Sequence, residues 1–189
     1  MPAVHYRWRQ DGAAGREEIH ASFSADAPRW QGKSRIEQPG ILLDYKIETD
    51  AAGVFRHAVF TLAEPCRRTM TIERLAGGEW LINGKPRPEF SACTDIDVMD
   101  SGLTNTLAIR RLGLEPGGSA ELSVLFLPLP SLEPFVAPQR YTHLDDGKDG
   151  RPRYRYDGLD SDFTAVITVD AQGFVLGYPG VLRLDSTEP

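Results

Sequence analysis

The densest run of chemically capable side chains lies between Cys93 and Leu112, where Asp95, Asp97, Asp100, Ser101, Thr104, Asn105, Thr106, Arg110 and Arg111 occur together. On a strand, Asp95 and Asp97 share a face. If that face is internal, both carboxylates need partners, because a buried charge left alone costs several kcal/mol or more. Arg110 and Arg111 are the nearest cations, and a guanidinium fork suits carboxylate, phosphate or sugar hydroxyls. Two readings follow. The Asp–Arg network orients the polar headgroup of a ligand, with Asn105 as a further contact, or it is a structural ion-pair cluster tying a long loop to the body of the domain. A third reading makes Asp95 and Asp97 the acid and base of a hydrolase acting on a glycoside or lipid. Aspartates at this spacing occur in many strands, so the spacing alone does not define that chemistry.

Other reactive types are sparse. Cys93 has no histidine near it in sequence and reads as a small buried hydrophobe rather than a nucleophile. His5, His20, His57 and His143 are scattered, without His-x-His or His-x-x-x-His spacing, so no metal site and no cofactor is expected. The stretch Asp145-Asp146-Gly147-Lys148-Asp149-Gly150 has a superficial calcium-loop look, but Gly147 and Tyr156 fall where ligands belong. A solvated loop over 145–153 is expected instead. The run Arg151-Pro152-Arg153-Tyr154-Arg155-Tyr156 can stack sugars or bases, or it can be an edge strand with arginines outward and tyrosines inward. Tyr141, Tyr154 and Tyr156 are carried forward as secondary ligand contacts. Gln139 alternates with Tyr141 and can present a polar tip to a cavity. There is no phosphate-cradling glycine loop, Gly-x-Ser-x-Gly elbow or Cys-x-x-Cys.

These residues need a scaffold, and the hydrophobic pattern supplies one. Period two dominates. Val4, Tyr6 and Trp8 alternate with polar residues, as do Ile19, Ala21 and Phe23. Further strands are expected at 41–48, 54–62, 69–75, 79–82, 120–127, 135–144, 154–156, 163–169, 174–178 and 181–184. Asp50-Ala51-Ala52-Gly53, Gly77-Gly78, Asn83-Gly84 and Asp170-Ala171-Gln172-Gly173 are turns between them, Asn83-Gly84 being a hairpin pair that tolerates positive φ. Helix evidence is confined to Thr104–Leu112, which also fits a strand; a strand or short helical turn is expected, with Thr104 or Asn105 as cap. The fold class is therefore mainly β: a single domain over 1–189, a long antiparallel meander curled into an open or half barrel, with little or no helix. Curling answers the edge problem of a long meander and encloses space for a small ligand. Trp8, Phe23, Trp30, Phe60 and Trp80 are the expected apolar walls.

Composition narrows the function. A formal net charge of -6 over 189 residues argues against a nucleic-acid partner, which requires a basic surface. No apolar run approaches the ~18 residues of a membrane span. Two cysteines cannot build a disulfide framework, and no export leader is read at the amino terminus, so a cytoplasmic protein with reduced thiols is expected.

The segments Cys93-Thr94-Asp95-Ile96-Asp97 and Thr104-Asn105-Thr106-Leu107-Ala108-Ile109-Arg110-Arg111-Leu112 are joined in order by Pro128-x-Pro-x-Leu132, Gln139-Arg140-Tyr141, Tyr154-Arg155-Tyr156, Val169 to Gly173 and Tyr178-Pro179-Gly180. With Trp8-Arg9, Gly15 and Glu17, this set resembles the bacterial family described as putative glycolipid-binding. The resemblance implies a curved β-sheet like that of bacterial lipoprotein carriers, which shelter acyl chains, and it implies no established enzyme activity. The expected partner is thus a lipid-like small molecule, bound in an apolar cavity at an Asp/Arg headgroup site. A hydrolase and a non-catalytic protein-interaction module are the alternatives, and the oligomeric state is left open.

Overall fold

The computed structural model describes residues 4–12, 14–23 and 30–188. The strands are β1 (Val4–Gln10), β2 (Arg16–Phe23), β3 (Trp30–Gln38), β4 (Ile41–Thr49), β5 (Phe55–Glu64), β6 (Arg68–Arg74), β7 (Trp80–Ile82) and β8 (Lys85–Pro86). After a turn of 3-10 helix follow β9 (Asp95–Val98), helix α1 (Gly102–Leu112), β10 (Ser119–Leu127), β11 (Phe135–His143), β12 (Arg153–Gly158), β13 (Thr164–Val169), β14 (Val175–Tyr178) and β15 (Leu182–Glu188).

Among the described residues these fifteen strands make one sheet, in the order β8-β7-β6-β5-β4-β3-β2-β1-β15-β14-β13-β12-β11-β10-β9. Each half of the chain is a meander, and the pairing of β1 with β15 joins the halves. The expected turns are present; at the β7–β8 hairpin Asn83 and Gly84 have φ of 51° and 71°. The sheet is mainly β, curled and not closed, since β8 and β9 remain its two edges.

One pair breaks the antiparallel rule. Strand β9 runs parallel to β10, and a parallel pair requires a crossover of a dozen or more residues. Helix α1 lies in that crossover, so the Thr104–Leu112 segment is the last nine residues of an eleven-residue helix rather than a strand or short turn. Its cap is Ser101, not Thr104 or Asn105: extended Ser101 accepts a hydrogen bond from the Leu103 amide, and Gly113 closes the other end in the left-handed region. The eight residues Gly102 to Ile109 are all buried.

The helix lies inside the curl. Gly102 faces Trp8, Val175 and Leu182, and Val175 donates its amide to Thr106 Oγ1. The apolar walls expected around an open trough are packed instead. Trp8, Trp30, Phe60 and Trp80 are all buried. Trp8 and Trp80 donate their indole N–H groups to the Val175 and Cys93 carbonyls, and Phe55 stacks on Trp80 at 5.3 Å. The Phe23 side chain lies outside the described residues. The wide hollow is thus corrected to a helix-filled core. The open space that matters lies beside the helix, against β9 to β14.

Of the described helices, none is long and apolar enough to cross a membrane. Both cysteines are free; Cys66 is exposed and Cys93 buried. Burial pushes the Cys93 thiol up to about 11, which fits an inert core residue.

Candidate functional site

A pocket of about 450 Å³ opens between the start of α1 and strands β9 to β14. This is within the usual range for small-molecule sites. Its floor is polar. Asp97 on β9 faces α1 and accepts hydrogen bonds from Thr104 Oγ1 at 2.7 Å, Gln139 Nε2 at 2.7 Å and Asn105 Nδ2 at 3.4 Å. Thr104 in turn accepts the Val98 amide, which locks strand to helix. Its walls are aromatic: Phe126, Phe135, Tyr156, Phe163 and Tyr178 all line it. Tyr156, Phe163 and Tyr178 form a mutually contacting trio with centroids 5.9, 6.0 and 6.1 Å apart. The mouth is greasy: Met99, Phe135 and Phe163 are 40%, 45% and 43% exposed.

Two atoms in the floor stand out. Asn105 Oδ1 and Gln139 Oε1 are buried and have no hydrogen-bond partner among the described residues, although each residue is under 4% exposed. A buried acceptor left unsatisfied costs about 1–3 kcal/mol, so native proteins seldom retain one without a use. The pocket therefore offers two amide carbonyl oxygens that lack donors, beside a carboxylate held by neutral ones.

Burial pushes the Asp97 carboxyl above its ordinary range, against the pull of the Thr104 and Gln139 bonds. Burial also raises the neighbouring Tyr156 and Tyr178 hydroxyls, with Asp97 adding to the effect. The sign of the linkage is fixed by the direction. A folded-state pKa above the unfolded value means the folded protein holds the extra proton, so stability from this group is greatest below the unfolded pKa and fades as pH rises through the folded one. We expect the melting-temperature advantage of wild type over Asp97→Asn to grow as pH falls from about 8 toward about 4. Glu17, also raised, is common to both proteins and cancels. Thermal melts across that pH range check this, and a gap independent of pH would contradict it.

The structure divides the residues singled out in the sequence. Asp97, Asn105 and Tyr156 meet in the pocket. Tyr141 lies directly behind, meeting Tyr156 edge-on at 5.4 Å. Asp95 and Arg111 do pair, through 2.8 and 2.5 Å contacts, but at the far end of α1, where Arg111 lines a separate shallow cleft. Asp95 is absent from the pocket lining, so the two β9 carboxylates do not face one ligand. Arg110 does not join either aspartate. It turns away to the Gln172 carbonyl and lies over the Phe174 ring. Tyr154 stacks on His143 at 4.4 Å, also away from the pocket. The expectation of an Asp–Arg headgroup network is thereby corrected: the guanidinium groups lie outside the pocket. Arg111→Ala, which strips a cation from nearly buried Asp95, should cost roughly 3 kcal/mol. Arg110→Ala, at an exposed position, should cost about 1 kcal/mol or less. Denaturant melts of both variants check the contrast.

Gln139, read from the sequence as a polar tip toward a cavity, lines the pocket from an inward position of β11 between Ala137 and Tyr141. Several other pocket residues escaped the sequence. Phe135, Phe163, Tyr178, Asp100 and Asp160 come from strand ends and loops whose convergence needs the fold. Glu17 was legible too, as an acid in the inward register of Ile19 and Ala21. It accepts from Ser34, Tyr45, Ser101 and the Gly102 amide, so it anchors the start of α1.

The cross-strand pairing of β1 and β2 also stacks His5 on His20 at 4.1 Å. With Glu18 their ligand atoms lie within 4.8 Å of one another on the outer face, a proximity that sequence spacing did not show. Glu18 is already shared with Arg7 at 2.8 Å. A larger groove of about 1230 Å³ runs beside this cluster. Six of its charges are paired with each other, Arg7 with Glu18, Arg9 with Asp185 and Arg16 with Glu37, and none of its described lining residues carries a buried polar atom without a hydrogen-bond partner, as the pocket's Asn105 and Gln139 do.

An open antiparallel sheet curled about one helix, with an aromatic pocket at its flank, defines a β-barrel-like fold. The chain belongs to the family described as "Putative glycolipid-binding", whose model matches residues 5–183. It is similar to a DUF1089-family protein from Pseudomonas aeruginosa, known as a crystal structure, with 32% identity over 97% of this chain and 93% of that one and a TM-score of 0.69. A beta-barrel-like protein of the DUF1849 domain of unknown function from Brucella abortus shares the fold at 10% identity and a TM-score of 0.54, covering 98% and 97% of the two chains. No curated protein matches the chain.

Proposed function

We propose that this protein binds a glycolipid or a related amphiphile, with a hydrogen-bond-donating headgroup on the pocket floor and its apolar part over the rim. The observation that carries the reading is the pair of buried acceptors, Asn105 Oδ1 and Gln139 Oε1, in a pocket walled by aromatic rings. Sugar hydroxyls are donors of the right kind, and sugar C–H faces pack on aromatic rings. Exposed Met99, Phe135 and Phe163 extend the apolar surface past the mouth. The membership of a family described as putative glycolipid-binding points the same way. Binding is favoured over the hydrolase reading through Asp95 and Asp97 because these two carboxylates are turned to different partners and do not flank one bond. The reading replaces the arginine-based headgroup site with an acceptor-based one.

The test is native mass spectrometry of the purified protein followed by denaturing extraction, then titration with octyl β-D-glucopyranoside. A co-purifying amphiphile, or saturable glucoside binding lost on substituting pocket residues, is expected. Protein that is empty and binds neither the glucoside nor a lipid extract would overturn the reading.

A further inference from the structure

We propose that the headgroup this pocket selects carries an ammonium group, seated on Asp97 within the trio of Tyr156, Phe163 and Tyr178. The inference rests on the binding reading above and adds the charge of the ligand. Three observations carry it. First, the pocket is acceptor-rich and acidic: Asp97, Asp100 and Asp160 line it, and among the described residues no lysine, arginine or histidine does. Second, Asp97 is a buried carboxylate held by neutral donors, whereas its neighbour on β9, Asp95, has Arg111. Taking a charge out of water without a counter-ion is costly, and a ligand cation supplies the missing partner. Third, the unpartnered Asn105 and Gln139 oxygens belong to residues that bond Asp97 through their own amide nitrogens, so both acceptors lie within a side chain's width of the carboxylate. An ammonium group has three N–H donors and no acceptor, which matches a carboxylate flanked by two carbonyl oxygens. The surrounding ring faces attract the same charge, since a cation near an aromatic face is favoured by the ring quadrupole. Anionic headgroups meet the opposite: repulsion from the carboxylates of Asp97, Asp100 and Asp160, with no cationic side chain among the described lining residues.

The chemistry fits an amino sugar or another primary amine at the polar end of an amphiphile. It is tested by calorimetric titration of the full chain, below micelle formation, with a matched series: octyl glucoside, octyl 2-amino-2-deoxyglucoside and octyl glucuronide. The amino glycoside should bind at least ~10-fold more tightly than the neutral one, with the glucuronide weakest, and the preference should shrink as salt is raised. Asp97→Asn, close to the native shape, should erase the preference while leaving neutral glucoside binding measurable. If Asp97→Asn fails to fold, Asp160→Asn, at an exposed position on the mouth, should reduce the preference in part. Equal binding of the neutral and amino glycosides overturns this inference and leaves the binding reading standing. Absence of binding by all three overturns both.

Discussion

Replacing Glu17 by alanine should lower the melting temperature by on the order of 10 °C. The carboxylate is 1% exposed and collects Ser101 Oγ at 2.6 Å, Ser34 Oγ at 2.7 Å, the Gly102 amide at 2.7 Å and Tyr45 OH at 3.2 Å. These four donors come from β3, β4 and the start of α1, so one side chain on β2 joins the sheet to the helix that fills it. Truncation strands the Gly102 amide and removes the shared acceptor of three hydroxyls. Breaking such a buried charged network costs roughly 3–5 kcal/mol, and each kcal/mol is about 2–4 °C in a domain of this size. The anion also faces the positive end of α1, which favours it, while burial pushes its carboxyl up against the pull of the four bonds. Glu17→Gln keeps one carbonyl acceptor and should lose less than half as much. Thermal melts measure both, and amide hydrogen exchange should place the loss at α1. An alanine variant within about 2 °C of wild type would mean that the helix is held by apolar packing alone.

The second large effect is on binding. Asn105→Leu and Gln139→Leu each remove an orphan acceptor from the pocket floor while conserving bulk. If those oxygens receive ligand donors, each substitution should weaken octyl glucoside by about 10-fold and the double variant by about 100-fold. Each change deletes an unsatisfied acceptor but also one donor to buried Asp97, so stability should fall by about 1–3 kcal/mol per substitution, with the native fold retained. Lost affinity in a protein that still folds distinguishes a floor built for a ligand from one built for the fold. Affinity unchanged in the double variant, or a large loss of stability with affinity intact, would assign the amides to the scaffold.

The contrast between fold and site follows from the range over which each is encoded. Strand alternation is local, so Tyr6 and Trp8 facing in, Arg7 and Arg9 facing out, and the Asn83-Gly84 turn are readable from neighbours two residues apart. The Arg153–Gly158 strand is the same case, with Tyr154 and Tyr156 inward and Arg155 outward, although it pairs with both β11 and β13 and so is not the edge strand expected. Helix α1 was hidden because Leu107, Ile109 and Arg111 satisfy a strand period as well as a helical one. What decides it is the parallel pairing of β9 with β10, a long-range fact. The division of Asp95 from Asp97 has the same origin. Their common face was legible, but the helix crossing it puts Arg111 beside one and Asn105 beside the other. Arg110, one residue earlier, is turned about a hundred degrees around the helix and reaches the β13–β14 turn instead. The aromatic wall is the least local feature, assembled from β10, β11, β12, β14 and the β12–β13 loop.

The side-chain amide protons of Asn105 and Gln139 give the most direct reading of the claim that this pocket is the ligand site. In nitrogen-15 spectra recorded during titration with octyl glucoside, those two resonances and the backbone signals of Asp97 and Ser101 should shift together with one saturation curve. Shifts confined to the charged groove along β1 and β2 would place the ligand there instead, and no saturable shift at any position would contradict glucoside binding altogether.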